Sequence, residues 1–204
     1  MSTALDATAP ALVSSPMLSA RPARTYPTTT LLPPTRSRFQ GVELEYAVCA
    51  PTPRFQRELA HVFPERGMKS LRVVPVIQRC ENDLVGVGAG VDKEKDEMLE
   101  RFVTWGNTII ARLRLLGYWA DLTDPASGYP LHSSPGASPY PDVQGTQTLL
   151  RYDVQSTGCC HILLHPTWGS RIYPATMFTD VDPETFRGVV AEVESEEEQG
   201  GKVA

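Results

Sequence analysis

Cysteine is scarce in this chain of 204 residues: four in all, at positions 49, 80, 159 and 160. That is too few for a disulfide framework, and without any C-x-x-C spacing a structural zinc knuckle is disfavoured too. No run approaches the roughly 18 to 20 consecutive apolar residues that a membrane-spanning helix needs, which excludes an integral membrane protein of that kind. An excess of basic charge is also missing. The net charge of −5 is the reverse of the footprint carried by a phosphate-backbone binder, so nucleic acid is not an expected partner. What is present is ordinary for a folded domain: 41% hydrophobic residues, enough for a core, and a length that suits one domain with or without a tail.

Charge is distributed unevenly. Residues 1–40 carry Arg21, Arg24, Arg36 and Arg38 against the single acid Asp6, a net of +3, which leaves −8 for residues 41–204. The same forty residues are crowded with Ser, Thr, Ala and Pro. Such a composition buries too little apolar area to offset the entropy of ordering it, so residues 1–40 read as a disordered leader. Arginine-bearing, serine-rich and acid-poor, it also has the character of an organellar transit peptide. Mitochondrial import and plain disorder both fit it, and the expected location is cytoplasmic, mitochondrial or both.

From Gly41 onward periodicity appears. Val42, Leu44, Tyr46 and Val48 alternate with Glu43, Glu45, Ala47 and Cys49, the pattern of a half-buried strand. Pro53 opens a short helix with Phe55, Leu59, Val62 and Phe63 on one face, and Pro64 stops it. The run 70–78 reads as a strand whose Pro75 points to an edge or a bulge. Residues 92–116 form the longest helix, with Asp92 as N-cap, a stripe of Met98, Phe102, Trp105, Ile109, Leu113 and Leu116, and Gly117 placed to cap its end. A strand at YWADLTD closes in a turn, and residues 129–147, rich in Pro, Ser and Gly, suggest a lid, a binding loop or disorder. Strands are expected at 148–154, 159–165 and 171–179, then a helix from Asp182-Pro183 that runs out in the acids at 194–198. The sum is an α+β domain over 41–194 with a closing helix and an acidic disordered tail at 195–204. Strands gathered late argue against a doubly wound parallel sheet.

The residues that could carry chemistry centre on Cys159-Cys160. Neighbouring cysteines do not bond readily, because their Cα atoms lie about 3.8 Å apart, below the usual disulfide range, and in a strand they face opposite sides. They are either two buried structural thiols or one packed thiol beside one that works. A thiol redox role would need the strained vicinal disulfide. His161 and His165 share a strand face with Cys159, but six residues of strand separate Cys159 from His165 by roughly 20 Å, too far for one metal, so no metal site is expected. Gly86-Val87-Gly88-Ala89-Gly90 lacks the Lys-Ser/Thr ending of a phosphate loop and reads as a hairpin or loop. The acids show no paired catalytic set. Composition and spacing alone favour a thiol-bearing binding domain over an enzyme.

Several strings together go further. VELEYAVCAP, LERFVTWG, GYWADLTDPASG at 117–128, GCC at 158–160, HPTWGS at 165–170 and MFTDVDP at 177–183 occur in an order that resembles the CblD (MMADHC) family of cobalamin trafficking, over about residues 42–186. The resemblance implies a nitroreductase-like, flavin-less α+β fold: a mixed sheet with flanking helices. It implies a non-catalytic adaptor that meets a CblC-like cobalamin-processing protein and helps direct the cofactor to methionine synthase and methylmalonyl-CoA mutase. It implies that the first cysteine of GCC, here Cys159, gives a thiolate to the cobalt of partner-bound cobalamin, with Gly158 shaping the turn and Cys160 as neighbour or alternative ligand. Cobalamin would be shared with the partner, not held tightly by this chain alone. Arg171 or a protonated His161 could help ionise the thiol. The alternative on the same fold is a flavin-dependent nitroreductase-like oxidoreductase, although the domain offers no basic cluster at a strand-to-helix junction for the flavin phosphate.

Overall fold

A computed structural model describes residues 25–158 and 160–200, with the backbone alone described at Cys160. Its sheet is built around β2 (Val42–Cys49) and β3 (Arg72–Arg79), strands that are buried on both sides. In β2 the residues Leu44, Tyr46 and Val48 point to one face and Ala47 and Cys49 to the other, and all five are buried. The strand is therefore covered on both faces, not half-buried as its alternation suggested. Five strands form the main sheet in the order β1-β2-β3-β7-β4, namely β1 (Thr30–Phe39), β2, β3 (Arg72–Arg79), β7 (Ile172–Thr179) and the short β4 (Ala120–Leu122). Every pairing in it is antiparallel, so the main sheet is not the mixed one that the family resemblance implied. A separate two-stranded ribbon pairs β5 (Asp153–Thr157) with β6 (Cys160–Leu164).

Helices α2 (Ala89–Leu115) and α4 (Pro183–Gly200) cover one face of the sheet, where Phe102, Trp105, Ile109, Phe186 and Val190 meet Leu44, Tyr46 and Val76. The opposite face takes α1 (Pro53–Leu59), α3 (Asp142–Leu150) and the ribbon, whose Leu149, Tyr152 and Leu163 join Phe63, Ile77 and Phe178. The result is an α+β fold with an antiparallel sheet and flanking helices.

Local chemistry explains most element ends. Thr52 caps α1, its side-chain oxygen accepting from Phe55 N at 3.3 Å, with proline at the first helical position. Gly117, at φ 85°, ends α2 with paired bonds from Gly117 N to Arg114 O and from Tyr118 N to Leu113 O, the double closure of a Schellman turn. The start of α2 differs from expectation. Gly88, at φ 136°, is the N-cap and Asp92 lies inside the first turn, so the glycine run ends as a helix entry. Leu116 is the C-cap and 57% exposed instead of extending the buried stripe.

Pro75 stands in a central strand rather than at an edge, paired with Thr176 of β7. On the other side β2 pairs with β3 at Tyr46–Val76 and again at Cys49–Val73, in step but with the ladder interrupted between. The interruption accommodates a residue that has no N–H to donate.

Other boundaries shift as well. Strand β1 lies within residues 1–40 and makes the edge of the sheet, so order begins before Gly41; the leader residues 1–24 lie outside the described residues. Segment 129–147 is held in place, with Leu131 N bonded to Leu122 O, Gly136 N to Val62 O, and Tyr140 buried. Residues 148–150 end helix α3 instead of opening a strand, because Leu149 and Leu150 bury as its inner face and Arg151 breaks it at φ 57°. Finally, α4 continues to Gly200 through the acidic stretch. Its carboxylates have work there: Glu194 accepts from Arg38 N at 3.0 Å, Glu197 from Gln40 N at 2.5 Å, and Glu196 pairs with Arg112.

Candidate functional site

The GCC motif falls at the far end of the β5–β6 ribbon. Its register runs from Asp153–Leu164 at the base to Thr157–Cys160 at the end. Gly158 follows Thr157 at φ 65°, a left-handed conformation that glycine adopts without steric cost, which suits a tight hairpin turn. Gln155, Ser156, Thr157, Gly158 and His161 are all exposed. Cys159 lies outside the described residues, as does the side chain of Cys160, so the two candidate thiols are placed by sequence and register only.

The base of the ribbon is different in kind. Just past β6, His165 is 3% exposed and its ring is held on both nitrogens. Backbone N–H groups of Thr167 and Trp168 donate to Nδ1 at 3.2 and 3.0 Å. Nδ1 is thus an acceptor, which puts the hydrogen of a neutral ring on Nε2, and Nε2 donates to Glu45 Oε1 at 3.0 Å. The same carboxylate oxygen accepts from the Tyr152 hydroxyl at 2.5 Å, while Oε2 lies 3.2 Å from Arg36 Nε. Burial alone would raise the Glu45 carboxyl, but the hydrogen bonds from His165 and Tyr152 and the positive charge of Arg36 outweigh it and hold it below the ordinary carboxylate value. Burial and the adjacent carboxylate push the Tyr152 phenol well up, so it stays a donor.

Aromatic stacking completes the cluster. Trp168 stacks on His165 at 4.2 Å, Tyr152 meets His165 edge-on at 5.5 Å, and the Arg36 guanidinium lies 3.9 Å from the Trp168 ring centre. The turn itself closes through reciprocal backbone bonds between His165 and Gly169, both 2.9 Å, with Gly169 at φ 62°. So HPTWGS is a lock joining the ribbon to β1 and β2. In the sequence Glu45 stands only as a polar member of a strand alternation, and His165 only as a metal-ligand candidate set aside on distance. A signal existed for Glu45: Ala47 and Cys49, on its side of β2, are small and uncharged, which marks that face as covered.

The other motif strings hold the fold together as well. Asp121, fully buried, accepts from the backbone N–H groups of Leu122, His132 and Ser133. Asp180 accepts from Trp119 N at 2.9 Å, and Asp182 caps α4 through Glu184 N and Thr185 N.

Arg171 does not fall among the ribbon residues. It lines an open cleft of about 680 Å³ with Arg38, Arg79, Glu43, Glu81 and Trp168. His161 stands opposite Ser156, one register step from the turn. Cys49 and Cys80 are buried structural thiols, and burial pushes both up to about 12, leaving essentially no thiolate at neutral pH. Among the described residues no group of three or more His, Cys, Asp or Glu could hold a metal ion, and no helix is long and apolar enough to cross a membrane.

A family model described as methylmalonic aciduria and homocystinuria type D protein matches residues 23–188. Among curated proteins, the cobalamin trafficking protein CblD of Mus musculus is 27% identical over 147 residues, that of Homo sapiens 26% over 147, and that of Gallus gallus 29% over 152. In each case the match covers 72% of this chain and 50% of the relative. The chain thus spans about half the length of the curated relatives it matches. The flavin-reductase alternative finds no support in this family or these relatives.

Proposed function

The chain belongs to the methylmalonic aciduria and homocystinuria type D protein family, and from that membership we propose that it is an adaptor in cobalamin trafficking, handling the cofactor in transit without transforming it. The cobalamin is cargo, held by a CblC-like processing protein and passed toward methionine synthase and methylmalonyl-CoA mutase, in the cytoplasm, the mitochondrion or both. The fold proposed for this role is a nitroreductase-like one that no longer uses flavin. This chain supplies one thing to the cargo, a thiolate from Cys159, with Gly158 forming the turn and Cys160 as the alternative donor.

The observation that carries this reading is the exposed ribbon with GCC at its end, anchored at its base to the sheet. A thiol offered to a metal held by another protein has to project, and every described neighbour of the turn along β5 from Gln155 is exposed. The chemistry is sound: thiolate is a soft donor and suits an exchangeable axial position of corrin cobalt. An ordinary cysteine, with pKa near 8.5, is only a few per cent ionised at pH 7. Forming the Co–S bond therefore releases the thiol proton, and association should strengthen as pH rises toward that value.

The test is absorption spectroscopy on the full chain mixed with the cobalamin-loaded processing protein. A Co–S charge-transfer band is expected for the unsubstituted protein and its loss for Cys159→Ser. Loss with Cys160→Ser alone would move the role by one residue, and a band unaffected by either substitution would refute thiolate ligation.

A further inference from the structure

Strands β5 and β6 pair only with each other among the described strands. A two-stranded ribbon is marginally stable by itself, so the direction in which it points is decided where it is attached. Four register steps separate the base pair Asp153–Leu164 from the end pair Thr157–Cys160, roughly 14 Å at about 3.4 Å per residue. Over that length a tilt of about 10° at the base swings the turn by roughly 2.5 Å, several times the tolerance of about 0.5 Å for a productive site. The attachment therefore needs to be stiff, and it is there that the buried polar cluster lies.

We propose that Glu45, His165 and Tyr152 are positioning residues: they clamp the base of the ribbon to the sheet and so set where the GCC turn points. The two ribbon-flanking residues bracket it. Tyr152 immediately precedes β5, and His165 immediately follows β6. Both donate to the same oxygen of Glu45 on β2, at 2.5 and 3.0 Å. One carboxylate of the sheet thus grips both strands of the ribbon at their shared base. The second carboxylate oxygen is held by Arg36 of β1, and that guanidinium closes over Trp168, which stacks on His165. His165 cannot turn without also giving up the Thr167 and Trp168 N–H groups at Nδ1. Apolar packing at the base, from Leu163 and Tyr152, resists separation but is non-directional; the hydrogen bonds supply the angle.

The clamp rests on the reading of GCC as the cobalt-ligating end only for its purpose, so the test has two arms. In the first, amide hydrogen exchange is followed in the full chain for the unsubstituted protein, Tyr152→Phe and His165→Gln. Protection in β5 and β6 should fall at least tenfold while that in β2 and β3 changes less than twofold. No change in the ribbon, or an equal loss in the sheet, overturns the clamp. If His165→Gln fails to fold, Tyr152→Phe, which deletes a single oxygen, carries the same comparison. In the second arm, the same variants are titrated into cobalamin-loaded processing protein. At least fivefold more variant should be needed to reach half the Co–S band. A loosened ribbon with an unchanged titration would overturn the positioning role. If the unsubstituted protein gives no band, the cobalt reading fails separately, and hydrogen exchange alone decides the clamp.

Discussion

At Gly145, inside α3, two effects of opposite sign meet. Replacing a helical glycine by alanine normally stabilises, because alanine loses less backbone entropy on folding. Here an added Cβ would sit 2.1 Å from the Tyr140 hydroxyl and 2.6 Å from Cζ of that ring, which is buried at 3% exposure. A buried ring cannot swing aside cheaply, so the clash wins: Gly145→Ala should cost about 1–3 kcal/mol, read as a lowered midpoint in thermal or urea unfolding. Gly188, exposed on α4 with nothing within 4 Å of an added Cβ, should behave in the opposite way and gain about 0.4–1 kcal/mol as alanine. The motif acids obey the same residue-level logic. Asp121, Asp180 and Asp182 each accept from backbone N–H groups, so their role in this chain is to hold its turns.

Among the elements, α4 departs most from expectation. A run of glutamates looks like a solvated tail, yet here it closes the exposed edge of β1. Free edge N–H groups invite pairing with other chains; Glu194 accepts from one of them, at Arg38, Glu197 accepts from Gln40 N in the turn that follows the strand, and Glu192 and Glu196 pair with Arg112 of α2. These contacts are near the surface and each is modest. The double substitution Glu194→Ala with Glu197→Ala is expected to lower stability by about 1–2 kcal/mol and to raise the tendency of the protein to self-associate, measurable by light scattering at high concentration. An unchanged midpoint would mean that water replaces the carboxylates without loss.

For the molecule as a whole, pH reveals how two of its acids pull in opposite directions. Asp142, where α3 begins, accepts from Thr176 Oγ1 at 2.5 Å. Burial is the largest influence on it, the Thr176 hydrogen bond acts against burial, and the charge of Asp124 adds to it, so the carboxyl is pushed from 3.8 up to about 7. A group raised on folding contributes its full stability below its unfolded value and loses that contribution as pH rises through the folded one. Asp142→Asn should therefore unfold at a higher temperature than the unsubstituted protein at pH 8, and the gap should close below about pH 4. Glu45 has the opposite sign: held below 4.5, it stabilises above that value and ceases to do so as pH falls through its lowered folded value. Glu45→Gln should thus be costly at pH 7 and progressively less so in acid, in the same thermal scans.

Much of this protein follows from local pattern. The strand at Val42–Cys49, the 3.6-residue stripe of Met98, Phe102, Trp105, Ile109 and Leu113, the Gly117 closure and the Pro183 helix start are all settled by the preferences of neighbouring residues, and each element stands in the structure where its pattern puts it. The GCC motif and the ordered strings around it were legible too, because they are contiguous. Tertiary structure alone decided what distant segments do to one another. It covered the second face of β2, placed Pro75 in mid-sheet, turned Thr148–Leu150 into the end of a helix and gave the C-terminal glutamates an edge strand to bond. It also brought Glu45 together with His165, 120 positions later in the chain. Periodicity reports which side of an element is apolar, whereas the partner of a buried charge depends on which elements pack against it, and no local pattern carries that information.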